Sequence, residues 1–356
     1  MELAFVIEKV VLVTVIFLIT LGIAAYSTLA ERKIAGFIQG RVGPHRAGPS
    51  GMFQPLADGG KMFFKEEIIP AESNPWLFIA GPCLALLTAS IGSAVIPWGQ
   101  DLVIGDRVIQ LQVADINVGI LYIFGIVSLG VYGIMIGGWA SNNKYSLMGA
   151  IRAASQNISY EIAMGLSLIA LLMVTQTLSL RGIAEQQAGF WQNGWFSWNV
   201  FCQPLGFLIF LVCSFAECNR TPFDLPESEN ELVAGYHTEY SGFKLGAFLF
   251  SEYINMFVSS AVMSTLYFGG YNFPFMNDLG LSDNVITILG VVFLFAKIFF
   301  FIFFFMWIRW TIPRFRYDQL MNLGWKVLIP LSIVNIVLTG IWITVKDLME
   351  SYGILK

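Results

Sequence analysis

The sequence predicts an all-α integral membrane protein, and three observations carry that prediction. Hydrophobic residues make up 56% of the chain and charged residues 12%, against about 25% charged in a soluble domain. Mean hydropathy is +0.69. Eight windows, at about 10–30, 76–98, 116–139, 162–178, 200–216, 245–268, 285–308 and 327–345, are apolar over about the 20 residues that a spanning helix needs. The fourth and fifth are short and are expected to tilt less or to extend through polar ends. In lipid an open sheet leaves backbone groups unpaired, so runs of this length mean helices and not barrel strands. About eight transmembrane helices in one polytopic domain, residues 1–356, are therefore expected.

Taken in order, the chain opens on Met1-Glu2-Leu3-Ala4-Phe5-Val6-Ile7-Glu8-Lys9, without the basic stretch of a secretory signal, so the first helix is expected to be retained. Orientation follows from the bases. Fourteen Lys and Arg, among them Arg32, Arg41, Lys61, Lys144, Arg152, Arg220, Lys244, Arg309, Arg314 and Lys326, fall in the loops after helices one, three, five and seven. Lys9, Arg107, Arg181, Lys346 and Lys356 fall on the other face. The positive-inside rule then puts both termini outside and the long loops in the cytoplasm.

The first cytoplasmic loop, residues 31–75, is far longer than the 2–8 residues of a plain helix connection. Glu31 to Pro49 is rich in the Gly and Pro that fix turns and stop helices. Beyond it, Phe53, Leu56, Gly60 and Phe63 or Phe64 share one helical face while Asp58, Lys61 and Lys65 share another, the pattern of an amphipathic helix lying in the membrane surface. Two accounts stand side by side. The loop is a positive-inside anchor, or Arg32, Arg41 and Phe37 line a mouth through which a lipid-soluble ligand with a dioxygenated ring head enters.

The second long loop, residues 217–244, is acidic. From Glu217 to Glu252 there are seven acids, Glu217, Asp224, Glu227, Glu229, Glu231, Glu239 and Glu252, against Arg220 and Lys244. Pro226 followed by Glu227, Glu229 and Glu231 fits a helix start, with Pro at the first position and acids favoured by the helix dipole. That does not explain Glu217 and Glu252 at or within apolar windows, nor Glu161 at the head of the fourth. Carboxylates at such positions persist when something holds or uses them, and together these read as a chain of protonatable sites. Moving a proton against about 150 mV costs roughly 3.5 kcal/mol, or about 2.5 pKa units, within what burial and like-charge neighbours impose. Lys297 stands inside the seventh window and is expected to face the bundle and pair with an acid. His45 and His237 lie in loops and form no ligand pair by spacing.

Cys83, Cys202, Cys213 and Cys218 lie in or beside apolar windows without C-x-x-C spacing, so small apolar packing is their expected role and no metal site is expected. No dinucleotide fingerprint or Walker loop is present. Any redox cofactors are expected on other chains.

Several segments in order resemble one family over essentially the whole chain: Ala30-Glu31-Arg32-Lys33, Gln39 to Pro44, Gln54-Pro55-Leu56-Ala57-Asp58, Ser159-Tyr160-Glu161, Ala216 to Leu225 and Pro313 to Met321. They are similar to the H subunit of bacterial proton-translocating NADH:quinone oxidoreductase, respiratory complex I, whose mitochondrial counterpart is NADH dehydrogenase subunit 1. The resemblance implies a membrane-arm subunit of the bacterial inner membrane, joining a peripheral redox arm to antiporter-like pumps. It implies quinone as substrate, with NADH, flavin and iron-sulfur clusters on partner subunits, and no nucleic acid. Glu31, Arg32, Phe37 and Arg41 match the quinone side. Glu161, Glu217, Asp224, Glu227, Glu229, Glu231 and Glu252 match the acid-lined path toward the pumps, and Asp58 matches a further family acid; Asp58 and Lys297 are the remaining coupling candidates. His45 departs from an Asn frequent in the family, and Ser228 and Asn230 also depart, leaving every acid in place. Two alternatives are a homologous membrane subunit of an energy-converting hydrogenase and a stand-alone secondary ion transporter. The first-loop match weighs against the former and the lack of an evident internal repeat against the latter.

Overall fold

In a computed structural model the described residues are 2–105, 107–189, 197–227, 229–274, 276 and 280–351. Helix α1 (Glu2–Ile38) is followed by α2 (Gln54–Phe64), α3 (Pro75–Ile91), strands β1 (Asp101–Ile104) and β2 (Arg107–Gln110), α4 (Gly119–Ala140) and α5 (Lys144–Thr175). Two short helices, α6 (Leu180–Gln186) and α7 (Asn199–Cys202), lead to α8 (Pro204–Glu217); α9 (Glu229–Leu232), α10 (Gly242–Tyr267) and α11 (Asp283–Thr311) follow. The chain closes with α12 (Tyr317–Asn322), a π-helical turn over Leu323–Leu328 and α13 (Ile329–Ser351), one continuous apolar run.

Seven helices among the described residues are long and apolar enough to cross a membrane, so the all-α membrane fold stands. The eighth expected span is α8, which at 14 residues is about 21 Å long, short of a hydrocarbon core of about 30 Å. The fourth window grows instead, from 162–178 to the 32 residues of α5. Its added half is polar, and the protein itself covers it: buried Gln156 donates to the carbonyls of Ala216 at 2.8 Å and Phe223 at 2.9 Å. Hydropathy marks what lipid tolerates and misses polar helix that other segments bury. The antiparallel β1–β2 hairpin also escaped the sequence reading. Four-residue strands are too short to show a period, and Gly105 supplies the left-handed turn at φ +62°.

α1 has 37 residues, about 55 Å, so it passes beyond the hydrocarbon core and carries Glu31, Arg32 and Phe37 on its last turns. These residues are helical, and the connection to α2 begins after Ile38. α2 is the expected amphipathic helix, with none of its residues buried and Leu56, Phe63 and Phe64 exposed. α3 and α4 pack closely because small residues face each other. A Cβ on Gly81 would come 2.8 Å from Gly137 Cα, and one on Gly133 would come 2.8 Å from Ala85 N. Backbones meeting this way gain dispersion contact where lipid gives no hydrophobic drive. α10 is the central helix, buried over most of its length, while α1 is largely peripheral.

Candidate functional site

The centre of the site is an arginine that the loop after α8 turns inward. At the end of α8, Asn219 takes φ +50°, and Arg220 is buried, 4% exposed. Its Nη1 donates to Glu31 Oε2 at 3.2 Å, and its Nη2 stands 3.9 Å from Glu252 Oε2. The guanidinium lies 4.0 Å from the centre of the Tyr253 ring. Glu31 and Glu252 are themselves buried. Glu31 also accepts from Tyr253 OH at 2.8 Å and pairs with Arg309 Nη1 at 2.7 Å. One carboxylate from α1, one from α10 and two guanidiniums thus share a dry pocket, each acid with charge-assisted partners, which is the condition for burying charge at tolerable cost.

Glu252 links outward. Tyr236 OH donates to its Oε1 at 3.1 Å. The ligand-type atoms of Glu227, His237 and Glu252 lie within 4.8 Å of one another, with His237 Nδ1 3.3 Å from Glu227 Oε1. Such a trio has the donor set of a metal site, but Arg220 already supplies a fixed cation beside Glu252. Burial, then the Glu252 carboxylate, pushes Glu227 well above the usual carboxylate range. Burial pushes His237 down to about 3, so it stays neutral near pH 7. Asp224 is held by Arg314 Nη2 at 2.7 Å and by Thr221 Oγ1 at 3.4 Å. Burial and the neighbouring Glu227 nevertheless push Asp224 up to about 8, with Arg314 pulling the other way.

On α10, Asn255 and Ser259 follow Glu252 at helical spacing on one face. With Glu217 they line a cavity of about 30 Å³, otherwise walled by apolar groups such as Phe124 and Phe210. Ser259 Oγ is buried without a hydrogen-bond partner in the protein. A cavity of that size with three polar groups suits a water molecule. Glu161 sits on α5, which packs against α8, and accepts a hydrogen bond from Ser128 Oγ of α4.

The remaining candidates lie elsewhere. Glu231 pairs with Arg152 at 2.6 Å near the surface. Glu229 starts α9, and its side chain lies outside the described residues. Arg32, half-exposed, pairs with Asp58 at 2.7 Å and ties the end of α1 to α2. Phe37 is 83% exposed, and Arg41 is exposed with its Nε donating to Gln39 at 2.6 Å. Glu31 therefore joins the buried network, apart from Phe37 and Arg41. Lys297 is a correction: it pairs with no acid. Its ammonium donates to the carbonyls of Phe268, Gly270 and Asn272 at 2.7, 2.7 and 2.6 Å, where α10 ends. Unpaired carbonyls at a helix C-terminus attract a cation as a carboxylate would.

Sequence reading missed Arg309, Tyr253, Tyr236 and His237 as members of the network. Tyr253 adjoins Glu252 and Arg309 ends an apolar helix, but neither signal says which acid it meets.

The NADH dehydrogenase family model matches residues 10–340. The first of two H subunits of NADH-quinone oxidoreductase in Cytophaga hutchinsonii is 65% identical over 336 residues, 94% of this chain and 96% of that protein. The H subunit of the Flavobacterium johnsoniae enzyme is 61% identical over 355 residues, covering 99% and 100%. The second H subunit of Geobacter metallireducens is 48% identical over 352 residues, covering 96% and 97%. The chain belongs to the NADH dehydrogenase family and, within it, to the group of H subunits of NADH-quinone oxidoreductase, respiratory complex I.

Proposed function

We propose that this chain couples quinone reduction to proton translocation in the membrane arm of NADH:quinone oxidoreductase, through the buried network centred on Arg220. That network is the observation that carries the reading. Glu31 and Glu252, held by one guanidinium, connect on one side to Asp224 and Glu227 and on the other, along α10, to the cavity at Glu217. A change of charge near Glu31 is felt by Glu252 through Arg220, and carboxyl groups coupled this closely gain and lose protons as a set. Protons then pass by way of Asn255, Ser259 and Glu217 toward Glu161, with Glu229 and Glu231 at the loop end of the path.

Arg32, Phe37 and Arg41, at the end of α1 and beyond it, form the quinone side, and α2 lies in the membrane surface beside them. Electrons come from partner subunits that carry the flavin and iron-sulfur clusters and oxidise NADH. The chain lies in the bacterial inner membrane with both termini outside and its long loops facing those partners. Relatives named as NADH-quinone oxidoreductase subunits weigh against the hydrogenase and transporter alternatives.

The test is Glu217→Gln and Glu229→Gln in the intact enzyme. NADH oxidation coupled to quinone is expected to fall, while NADH oxidation by a hydrophilic artificial acceptor, which bypasses the membrane arm, stays at the parent rate. Equal loss of both activities would report failed assembly, and unchanged quinone-coupled proton pumping would remove these acids from the path.

A further inference from the structure

The hairpin side of the molecule holds a cleft that the proton path does not use. Between α1, α11 and the hairpin segment lies a space of about 530 Å³. Val11, Val15 and Ile19 of α1, Ile109 and Leu111 of the hairpin segment, and Phe295 of α11 give it apolar walls. Trp98 also lines it, with Phe257 and Phe295 each stacked at 5.7 Å between ring centroids.

The α1 wall runs from Ile7 to Ile19, about 18 Å at 1.5 Å per residue. That is close to the depth of one leaflet, about 15 Å or half the hydrocarbon core. Spread over such a length, the volume is a channel for one hydrocarbon chain and too narrow for a helix about 10–12 Å across. Charge enters the lining at Glu8, beside Ile7, and at Arg107 of the hairpin. Lys9 Nζ, donating to Gln112 O at 3.0 Å, ties this end of α1 to the segment after β2. Among the described residues neither Glu8 nor Arg107 has an ion-pair partner, including each other. An apolar channel one leaflet deep, with a separated cation and anion at its mouth, matches a lipid with a hydrocarbon tail and a zwitterionic head.

We infer that the cleft binds a single zwitterionic phospholipid with a primary ammonium, phosphatidylethanolamine. One acyl chain lies along Val11, Val15 and Ile19, the phosphate meets Arg107 and the ammonium meets Glu8. A lipid whose head is only anionic, such as phosphatidylglycerol, would satisfy Arg107 and be repelled by Glu8. The chemistry is separate from quinone and proton transfer, so the site stands whether or not the proposed proton path does.

The test uses the intact enzyme in vesicles doped with phosphatidylethanolamine or phosphatidylglycerol carrying a photoreactive diazirine on the acyl chain, with labelled peptides mapped by mass spectrometry. Label from phosphatidylethanolamine is expected on the Ile7–Ile19 and Phe295 peptides, with competition by the unlabelled lipid and little label from phosphatidylglycerol. Arg107→Ala is expected to lower that label about fivefold, the loss of one partly screened charge contact. Val15→Trp, which fills the channel from an exposed helix face, is expected to remove label from the Phe295 peptide. NADH oxidation by a hydrophilic acceptor confirms that each variant is assembled. Equal labelling by both lipids, unaffected by Arg107→Ala, would show ordinary boundary lipid and overturn the inference. Absence of label from Ile7–Ile19 with either lipid would show another polypeptide over the cleft and overturn it too.

Discussion

Residues 39–65 and 218–241 both join long helices and both mix Gly, Pro and charge. The first leaves Val42 80%, Phe63 70% and Phe64 94% exposed, while the second buries Arg220, Asp224 and His237 to 4%, 3% and 7%. Their ion pairs differ accordingly. Arg32–Asp58 in the first region is partly exposed, a setting in which a pair contributes about 0–1 kcal/mol. Arg220 in the second is closed off with Glu31 and Glu252, where removing one partner strands a buried charge at a cost of about 3–5 kcal/mol. A first loop with its apolar side chains outside is a surface for lipid, ligand or partner. An acidic loop folded over its own charges is internal machinery, and its electrostatics are set within the chain.

The largest effect should come from breaking the closed region. Arg220→Ala is expected to destabilise the protein by about 3–5 kcal/mol and to remove it from the assembled enzyme on native gels, with Arg220→Lys a partial rescue. Normal assembly and thermal stability of Arg220→Ala would erase the contrast between the two loops.

Next is Tyr253→Phe, which takes one donor from the Glu31 carboxylate without removing a charge. A hydrogen bond to a charged group contributes about 1.5–3 kcal/mol, so a drop in melting temperature smaller than that of Arg220→Ala is expected, with assembly retained. An unchanged melting temperature would show that Arg220 and Arg309 satisfy Glu31 by themselves.

A pH effect sharpens the comparison further. Asp224 sits near 8 in the folded chain against an ordinary 3.8, so between those values the folded state keeps a proton that the unfolded state releases. Its contribution is full below the lower value and is lost as pH rises through the upper one. Asp224→Asn is expected to flatten the decline in thermal stability between about pH 5 and 8. Arg314→Ala, removing the cation that pulls Asp224 down, is expected to move the alkaline end of that decline to higher pH. Identical pH profiles for parent and Asp224→Asn would mean that Asp224 stays ionised.

The open region should give the smallest responses. Arg41→Ala is expected to raise the apparent KM for a short-chain quinone by up to about fivefold, about 1 kcal/mol, with assembly intact. An unchanged KM would take Arg41 off the quinone side. Arg32→Ala is expected to cost no more than about 1 kcal/mol in thermal stability, and a loss as large as that of Arg220→Ala would mean that the end of α1 is also closed.

The candidate site was legible as a set of acids and illegible as a network. Glu217, Asp224, Glu227 and Glu252 stand out because a carboxylate in an apolar chain needs a reason. Their partners come from α1, α11 and the segment before α12, some 60 to 220 residues away in sequence. Lys297 shows the same limit: burial implied a counter-charge, and the fold supplied three carbonyls where the sequence suggested an acid. Glu31 shows it from the other side, since its place in the first-loop motif set it beside Arg41 while its helix turns it toward Arg220.

Long apolar windows with few charges determined by themselves that the chain is a helical membrane protein, because lipid leaves helices as the way to pair every backbone group. The Gly-Pro punctuation and amphipathic pattern placed α2, since its face is set by local periodicity. Only the tertiary structure decided that α5 begins at Lys144, that a hairpin follows α3, and that one arginine holds carboxylates from α1 and α10. Those outcomes depend on which segments bury one another, and burial by distant chain decides where a polar group is stable and which charge it meets.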